Sequence, residues 1–289
     1  MKYDVVIPVS YKDVAILKKN IRYIRHNLIG VETIYVLLNA DLFVRFSNDF
    51  LHNYKVTLID ENSMLEGLDF VRVKESLKDI NLSHQTGWYF QQFLKMSFAL
   101  SQYAKKHYLV WDSDTIPVNK ISFFDKDGKV CINPKKEHHE PYFYMINSLF
   151  KEDLRFAPYS FISEHMMFST SIMKELLESV ANRSSLPLYQ WWNAVTRNFR
   201  PNINQNFSEF ETYGTYVYNK YPQCFTLRTL NTFRLGGMLF GRLVTDEELS
   251  MLSIDFDTVS FERGHTPKGL RGLATKIMKV VIELQHRMQ

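Results

Sequence analysis

The chain has few of the features that mark secreted, disulfide-bonded or membrane-spanning proteins. Its 289 residues include only two cysteines, Cys131 and Cys224, which form no spacing motif. This excludes a disulfide framework and favours a reducing compartment. No run of about 18 apolar residues is present, which excludes an ordinary membrane-spanning helix. The apolar run after Asp4 is too short for a secretory signal. We therefore expect a cytoplasmic protein.

The signatures of several enzyme classes are absent as well. Gly236, Gly237 and Gly241 lack the Gly-x-Gly-x-x-Gly spacing of dinucleotide folds, and no Walker phosphate loop, zinc-ligand spacing or Gly-x-Ser-x-Gly pattern occurs. The net charge of +4 is too small to indicate a nucleic-acid partner. Hydrophobic residues make up 45% and charged residues 23%, a balance typical of a globular protein and not of a disordered one.

What is present is an alternation of strand-like and helix-like segments. Apolar runs at 4–9, 33–38 and 55–59 predict buried strands, and a segment with helical spacing at 14–24 follows the first of them. This order predicts an α/β fold with a mostly parallel central sheet flanked by helices. Ligands of such sheets bind beyond the carboxyl ends of the strands. The residues at those ends are Ser10, Asp13, Asn39, Asp60 and Glu61.

The pattern is regular up to residue 111 and irregular beyond it. Residues 87–106 predict a buried helix, because apolar side chains nearly surround it, and 108–111 predict a fourth strand. Short strands and loops are expected over 120–170. Further helices are predicted at 171–181, 208–220 and 268–288. We predict one catalytic domain over 1–262, with an elaborated C-terminal half, followed by a basic amphipathic segment at 263–289.

The strongest candidate for chemistry is Asp112-Ser113-Asp114, directly after the fourth strand. Side chains two residues apart converge only if the chain turns here, and the small polar residues followed by Pro117 are typical of a turn. Two carboxylates at a sheet edge form an oxygen-rich site for Mg²⁺ or Mn²⁺, with phosphates and waters completing the coordination. The alternative interpretation is a solvated loop.

Five segments together resemble the GT-A-fold glycosyltransferases of bacterial capsule and lipopolysaccharide assembly. They are 5–9, 91–96, 109–114, 161–166 and 207–214, within a resemblance that covers about 3–220. The resemblance implies a GT-A (Rossmann-like) fold and a hexosyl- or hexosaminyltransferase. Its donor would be a nucleotide-diphosphate sugar, with a UDP-sugar favoured. Its acceptor would be a bacterial surface glycan, free or lipid-linked. The implied ion is Mn²⁺ or Mg²⁺, with Asp114 as a direct ligand and Asp112 on the ribose or on metal-bound water.

The resemblance also assigns contacts to the nucleotide-sugar. These fall on Pro8, Ser10, Asp13, Gln91, Lys95, Asp112, Ser113 and Asp114. Lys95 lies in an otherwise apolar helix, where a cation is costly to bury without an anion, and the diphosphate is a natural partner. The alternative for Lys95 is an amine that reaches the surface. Asp13 could contact a pyrimidine base or cap the first helix.

The sequence Ser208-Glu209-Phe210-Glu211 first indicates a helix start, with Ser208 as the cap and acids favoured by the helix dipole. The GT-A resemblance adds a second interpretation, a catalytic carboxylate at a helix N-terminus that takes the proton of the acceptor hydroxyl. Glu209 fits that role best and Glu211 second. This assignment favours inversion of configuration. In a retaining enzyme neither acid need act as a base.

Candidates for acceptor contacts are His165 and the pair Trp191-Trp192, which lies in a stretch rich in Asn and Arg. Indole rings stack on the apolar faces of sugars. The alternatives are a hydrogen-bonded core histidine and ordinary core packing of the two tryptophans. His265 follows the core segments, and the resemblance implies a third metal ligand at this place in the chain.

The C-terminal segment 263–289 carries six basic residues against one acidic residue, beside an apolar stripe. This pattern is typical of a helix at the anionic inner face of a membrane, and equally of a helix packed on the core. Two other functions stay open. A sugar nucleotidyltransferase shares the sheet and the metal chemistry, although residues 8–12 lack its Gly-rich signature. The other is a non-catalytic glycan-binding protein on the same scaffold.

Overall fold

The computed structural model describes residues 1–151 and 154–265. Contacts divide the chain into two compact units. The first consists of Met1–Lys12, Gly30–Asp112 and Ser122–Thr229, and the second of Asp13–Ile29, Ser113–Ile121 and the described residues from 230 to 265. The predicted helix at 268–288 lies outside the described residues. None of the helices in the described ranges is long and apolar enough to cross a membrane.

The strands have the following bounds: β1 Tyr3–Pro8, β2 Leu28–Ile29, β3 Val31–Leu38, β4 Val56–Asp60, β5 His107–Trp111, β6 Thr115–Pro117, β7 Ile121–Ser122, β8 Val130–Ile132, β9 His165–Ser169, β10 Phe225–Leu227, β11 Thr232–Phe233 and β12 Thr258–Ser260. The helices are α1 Val14–Asn27, α2 Asn48–Tyr54, α3 Phe70–Ser76, α4 Thr86–Ser97, α5 Glu140–Phe150, α6 Thr170–Arg183, α7 Trp191–Arg197, α8 Glu209–Lys220, α9 Gly236–Phe240 and α10 Asp246–Leu252.

The main sheet of the first unit has the order β4-β3-β1-β5-β9. The first four of these strands are parallel, and β9 is antiparallel to β5 with His165 opposite Trp111. The predicted α/β class, with a mostly parallel central sheet flanked by helices, is confirmed. Because β1, β3, β4 and β5 run in the same direction, their carboxyl ends share one edge of the sheet. We call it the carboxyl edge.

Helix α4 lies in the core of the first unit, as the apolar residues on nearly all of its sides predict. Its buried residues include Tyr89, Phe90, Phe93 and Leu94, which are at most 2% exposed. Each large apolar side chain removed from water in this way stabilises the fold by roughly 1.5–3 kcal/mol. A helix buried on nearly all sides leaves no solvated face for a charged residue, so any charge it carries must find a partner inside the unit.

Helix α8 packs closely against the segment before β9. A Cβ atom at Gly214 would lie 2.1 Å from Cγ of Phe161, which is less than any real contact allows. Phe161 is fully buried, so the ring has little space into which it could move. Glycine at this position therefore sets the distance between α8 and the 160–161 segment.

The second unit has its own small core. Strands β11 and β12 pair in parallel, and β6 pairs with β12 in the antiparallel direction. Apolar side chains from α1, β6, β12 and the α10 region pack together there. They are Ile16, Ile116, Val118, Val244, Leu249, Val259 and Phe261. Helix α10 begins with a capping box between Thr245 and Glu248.

The structure differs from the sequence-based expectation in the middle of the chain. Short strands and loops are expected over 120–170, yet Glu140–Phe150 forms α5, an eleven-residue helix. Its aromatic content is typical of strands, and packing of Tyr142, Met145 and Ile146 in the core overrides that propensity. Pro141 lies in the first turn, where proline favours a helix start.

Candidate functional site

Three charged side chains from distant parts of the sequence meet at the carboxyl edge of β5. Lys95 lies in the last turn of α4, Asp112 directly follows β5, and Glu209 is the first residue of α8. The Lys95 Nζ atom donates to Asp112 Oδ1 at 2.7 Å and to Glu209 Oε1 at 2.6 Å. We call Lys95, Asp112 and Glu209 the charged triad. All three belong to the first unit.

The start of α8 is built to hold an acid at this place. The Ser208 side chain accepts a hydrogen bond from the Glu211 backbone N–H at 3.2 Å, as the predicted cap requires. The Glu209 backbone N–H donates to Gln92 Oε1 at 3.1 Å. Both contacts satisfy amide groups that the first turn of a helix leaves open, and the positive end of the helix dipole favours the Glu209 carboxylate.

The members of the charged triad differ in their exposure. The side chains of Lys95 and Glu209 are 7% and 5% exposed, whereas that of Asp112 is 36% exposed. The Lys95 ammonium also lies 4.6 Å from the centre of the Phe210 ring. With all three groups ionised, the triad carries one net negative charge. Asp112 is therefore the member that faces solvent and can meet a cation or a substrate.

The environment keeps Lys95 charged. Burial alone would lower the pKa of Lys95, but the carboxylates of Asp112 and Glu209 outweigh it and hold that pKa above its usual value. Burial raises the pKa of Glu209, and the nearby Lys95 ammonium opposes that rise. The pair is best described as a buried ion pair whose two charges depend on each other.

This geometry changes the roles predicted for Lys95 and Glu209. Lys95 is expected to contact a diphosphate, but here it binds two carboxylates. Glu209 is expected to take a proton from an acceptor hydroxyl, but it is 4% exposed and already paired with a cation. A base must come within hydrogen-bond reach of the proton that it abstracts. The structure therefore favours Glu209 as the residue that fixes Lys95.

Glu211, the second predicted catalytic acid, holds a different part of the chain. Its Oε2 atom accepts from Ser160 Oγ at 2.7 Å and from the Phe161 backbone N–H at 2.9 Å. Burial raises the pKa of Glu211, and these hydrogen bonds partly oppose the rise. Glu211 is 1% exposed, so its carboxylate anchors the 160–161 segment and does not reach a substrate.

Two further residues of the Asp-Ser-Asp motif belong to the second unit. The Ser113 carbonyl accepts from Asn20 Nδ2 at 3.1 Å, and the Asp114 carbonyl accepts from the Phe261 backbone N–H at 2.8 Å. Ser113 is buried and Asp114 is partly exposed. These contacts fix the backbone of the predicted turn on both sides of Asp114. The predicted metal and donor roles of Asp114 and Ser113 remain predictions.

Asp13 also lies in the second unit. Its side chain forms no cap on α1, so the predicted capping role is wrong. It accepts a hydrogen bond from Arg242 Nη2 at 2.5 Å, and both side chains are less than a fifth exposed. A contact to a nucleotide base remains a prediction for Asp13.

The other predicted donor contacts lie on elements of the first unit. Pro8 is buried at the end of β1, opposite Leu37, and Ser10 lies just beyond it at the carboxyl edge. Gln91 is partly exposed on α4. The neighbouring Gln92, which the sequence did not single out, is the glutamine that contacts the start of α8.

Within residues 1–151 and 154–265, no group of three or more His, Cys, Asp or Glu residues is placed to hold a metal ion. Asp112 belongs to the first unit, whereas Asp114 and His265 belong to the second, and the metal role of this set remains a prediction. His265 lies in a 3₁₀ turn, with its Nδ1 atom 3.8 Å from the Glu262 carboxylate. Its role as a third ligand remains a prediction.

The residues predicted to bind an acceptor lie in the core. Trp191 and Trp192 are 0% and 3% exposed, and Trp191 Nε1 donates to Ser97 Oγ at 2.9 Å. Neither indole face is open to a sugar, so the core-packing alternative is the correct one. His165 is 3% exposed and stacks on Trp111, with ring centres 4.6 Å apart. Burial lowers the pKa of His165 to about 3, so its ring is neutral.

Two residues connected to Asp112, one directly and one through the other, are not among the residues predicted from the sequence. The Asp112 backbone N–H donates to the Glu164 carbonyl at 3.0 Å, which links the end of β5 to the start of β9. The Glu164 carboxylate lies 3.6 Å from Lys135 Nζ, and both side chains are largely buried. Glu164 falls in the segment 161–166 that carries part of the resemblance. For Lys135 the sequence offers no signal, because its partner is distant along the chain.

The fold and the charged triad define an α/β protein with an acidic site at the carboxyl edge of a parallel sheet. The profile of a family described as "Family of unknown function (DUF6492)" matches residues 10–232, and the chain belongs to this family. No curated protein matches the chain in sequence.

Several solved glycosyltransferase structures are similar to this chain. Mouse xyloside xylosyltransferase 1 in its apo form is 13% identical, with 93% of this chain and 100% of that chain covered and a TM-score of 0.42. Glycosyltransferase GlyE of Streptococcus pneumoniae TIGR4 is 11% identical over 93% and 56% of the two chains, with a TM-score of 0.45. Galactosyltransferase LgtC with donor and acceptor sugar analogues is 12% identical over 89% and 86%, with a TM-score of 0.44. These scores fall below 0.5, so the proposals below rest on this chain's own residues.

Proposed function

We propose that this protein is a GT-A-type glycosyltransferase. It transfers a sugar from a nucleotide-diphosphate sugar, preferably a UDP-sugar, to a bacterial surface-glycan acceptor with the help of Mn²⁺ or Mg²⁺. The observation that carries the proposal is the charged triad at the carboxyl edge of β5. Open α/β sheets bind their ligands at this edge. The partly exposed Asp112 carboxylate lies there in a fixed position.

The chemistry of the triad suits a divalent cation held against phosphate oxygens. Asp112 supplies a carboxylate of the hard-oxygen type that Mg²⁺ and Mn²⁺ prefer, and Asp114 follows two residues later. The net negative charge of the triad favours a cation over an anion at Asp112. Mg²⁺ commonly binds through one or two carboxylates plus substrate phosphates, so a third protein ligand is not required.

Within this proposal each member of the triad has a separate role. When bound, the metal would neutralise charge on the departing diphosphate. Asp112 would hold it, Lys95 keeps the Asp112 carboxylate in one orientation, and Glu209 keeps Lys95 in place. Lys95 and Glu209 are thus positioning residues. Their supporting contacts resemble those that orient metal ligands in other sites, whose loss typically costs about 10- to 100-fold in affinity or activity.

The test compares Asp112→Asn with Asp79→Asn, a matched change at an exposed acid on the same unit. Binding of UDP is measured by titration calorimetry with and without Mn²⁺. Hydrolysis of a panel of UDP-sugars is then measured in the absence of any acceptor. We expect Mn²⁺-dependent UDP binding in the wild type, a loss of about tenfold or more in Asp112→Asn, and no change in Asp79→Asn.

Asparagine keeps the shape of Asp112 and a possible contact to Lys95, so the variant should remain folded. A thermal unfolding curve close to that of the wild type verifies this. If UDP binding does not depend on Mn²⁺, or if Asp112→Asn binds and hydrolyses as well as the wild type, the proposed function is wrong.

A further inference from the structure

A cleft lies in the first unit, between the segments 134–138 and 157–160. Its volume is about 620 Å³, within the range of about 300–1,000 Å³ typical of small-molecule sites. We call it the 134–160 cleft. Neither the predicted donor contacts nor the predicted acceptor contacts include any residue that lines it.

We propose that the 134–160 cleft binds the acceptor and that the acceptor is an acidic carbohydrate, with a carboxylate or phosphate on its sugar ring. The inference rests on the proposed function, because it names the acceptor of the same enzyme. Three kinds of observation support it: the charges of the lining, its aromatic rings and the connection of its wall to the charged triad.

The lining charges favour an anion. Two lysines, Lys135 and Lys136, line the cleft together with one acid, Glu137. Lys135 also faces Glu164 at 3.6 Å, whereas Lys136 is exposed. An ammonium group at the mouth of a cleft attracts a carboxylate or phosphate as a point charge. Lys136 is therefore the residue best placed to select an acidic ring over a neutral one.

The aromatic rings favour a carbohydrate over a small inorganic anion. Phe143 and Tyr159 line the cleft and are partly exposed. His138 stacks on Phe143 with ring centres 4.5 Å apart, and Tyr159 packs edge-on against the buried Phe161 at 5.3 Å. These packed rings lose little freedom when a ligand binds, and their faces suit the apolar C–H surface of a sugar.

The wall of the cleft is connected to the charged triad. The backbones of Lys135 and Ser160 exchange two hydrogen bonds of 3.0 and 2.9 Å, and Ser160 Oγ donates to the buried Glu211. Glu211 lies in the first turn of α8, whose first residue is Glu209. The same short helix segment therefore holds both the cleft wall and Lys95. An acceptor in the cleft would be held in a fixed relation to Asp112.

Binding is tested on the whole protein without donor or metal. The probes are trigalacturonic acid and mannose 6-phosphate, each with its neutral counterpart, the trimethyl ester of trigalacturonic acid and mannose. Calorimetry and saturation-transfer NMR report affinity and contact. We expect at least one acidic probe to bind about tenfold or more tightly than its neutral counterpart, which corresponds to about 1.4 kcal/mol. The two acidic probes distinguish a carboxylate from a phosphate.

Variants locate the binding. Lys136→Gln should weaken the acidic probe about fivefold and bring it close to the neutral one, since a single exposed charge pair contributes up to about 1 kcal/mol. Tyr159→Leu should weaken both members of the pair. Lys126→Gln, at an exposed lysine of the same unit, should change neither.

The inference is overturned if no probe binds, if acidic and neutral probes bind equally, or if Lys136→Gln binds as the wild type does. Acceptor-free hydrolysis of UDP-sugars keeps this outcome separate from the proposed function. Hydrolysis without carbohydrate binding would contradict only the inference that the 134–160 cleft binds an acidic carbohydrate. Carbohydrate binding without hydrolysis would confirm the acidic-carbohydrate site and count against the transferase.

Discussion

The main sheet carries a lysine between two carboxylates at each of its edges. At the carboxyl edge this is the charged triad. At the opposite edge, where the parallel strands begin, Lys105 Nζ lies 3.1 Å from Asp4 Oδ1 and 3.1 Å from Glu32 Oε2. Both clusters place a lysine between an aspartate and a glutamate, but the Lys95 side chain is 7% exposed and that of Lys105 is 50% exposed. In the second cluster Lys2 also lies 3.5 Å from Glu32.

Because the two clusters differ in burial, their ion pairs contribute differently to the stability of the fold. Water screens the half-exposed Lys105 ammonium, although the Asp4 side chain is 1% exposed, so these contacts contribute at most about 1 kcal/mol. Lys95 and Glu209 have lost most of their hydration, and each needs the other to remain charged. The hydrogen bond from Lys105 lowers the pKa of Glu32, whereas burial raises that of Glu209. The comparison shows that the two clusters differ most in the burial of their lysine.

The largest expected effect is on folding. Lys95→Met leaves Asp112 and Glu209 close together without their cation. Removing one partner of a buried ion pair typically costs about 3–5 kcal/mol. We expect a loss of this size in the free energy of unfolding, measured with urea at pH 7. If Lys95→Met were as stable as the wild type, the triad would not be the buried ion pair described above.

The next effect concerns Glu61, an acid at the carboxyl edge that directly follows Asp60. Burial and the neighbouring Asp60 raise the pKa of Glu61 from 4.5 to about 7. The folded state then holds its proton more tightly than the unfolded state, so stability falls as the pH rises from about 4.5 to 7. We expect Glu61→Gln to be about 2 kcal/mol more stable than the wild type at pH 8, after allowance for partial exposure. Urea titrations at pH 8 and 4 should show the difference disappearing in acid.

A third prediction separates positioning from base catalysis at Glu209. Glu209→Gln keeps the shape but removes the net negative charge of the triad. We expect acceptor-free UDP-sugar hydrolysis and sugar transfer to fall together, by about 10- to 100-fold. Loss of transfer with normal hydrolysis would instead identify Glu209 as the base for the acceptor. Glu211→Gln serves as the matched variant, and it should lower the stability of the fold more than it lowers the activity.

The smallest effect is expected at the opposite edge. Lys105→Met removes the cation of the exposed cluster, and the Thr33 backbone N–H still donates to Asp4 Oδ1 at 3.0 Å. We expect about 1 kcal/mol of lost stability, at the upper end for an exposed pair because the Asp4 side chain is 1% exposed, and no change in UDP-sugar hydrolysis. Added salt should reduce the loss further. A loss as large as that of Lys95→Met would remove the distinction between the two clusters.

The sequence predicts the main sheet well because its strands are short apolar runs. The predicted run 33–38 corresponds to β3 at Val31–Leu38, and 108–111 corresponds to β5 at His107–Trp111. Local signals also place α8, where Ser208 forms the predicted cap. Such features are visible because neighbouring residues specify them. The helix α5 was missed because its packing, and not its composition, decides its conformation.

The candidate site is only partly visible in the sequence. Asp112 is predicted from its place after a buried strand, and the need of Lys95 for an anion follows from its apolar helix. The identity of that anion does not follow, because Glu209 is 114 residues away. The same limit applies to Trp191, whose partner Ser97 is 94 residues distant. Long-range contacts decide whether a polar or aromatic residue contacts a substrate or packs in the core.

Gly214 has a consequence for anyone who wishes to redesign this protein. Even the methyl group of alanine would collide with Phe161 and push α8 away from the Ser160 hydroxyl and the Phe161 amide that Glu211 holds. Mutational libraries aimed at a new specificity therefore have room to vary Lys136 and Tyr159 at the surface. They should leave Gly214 unchanged, since the added Cβ atom would disturb both the charged triad and the wall of the 134–160 cleft.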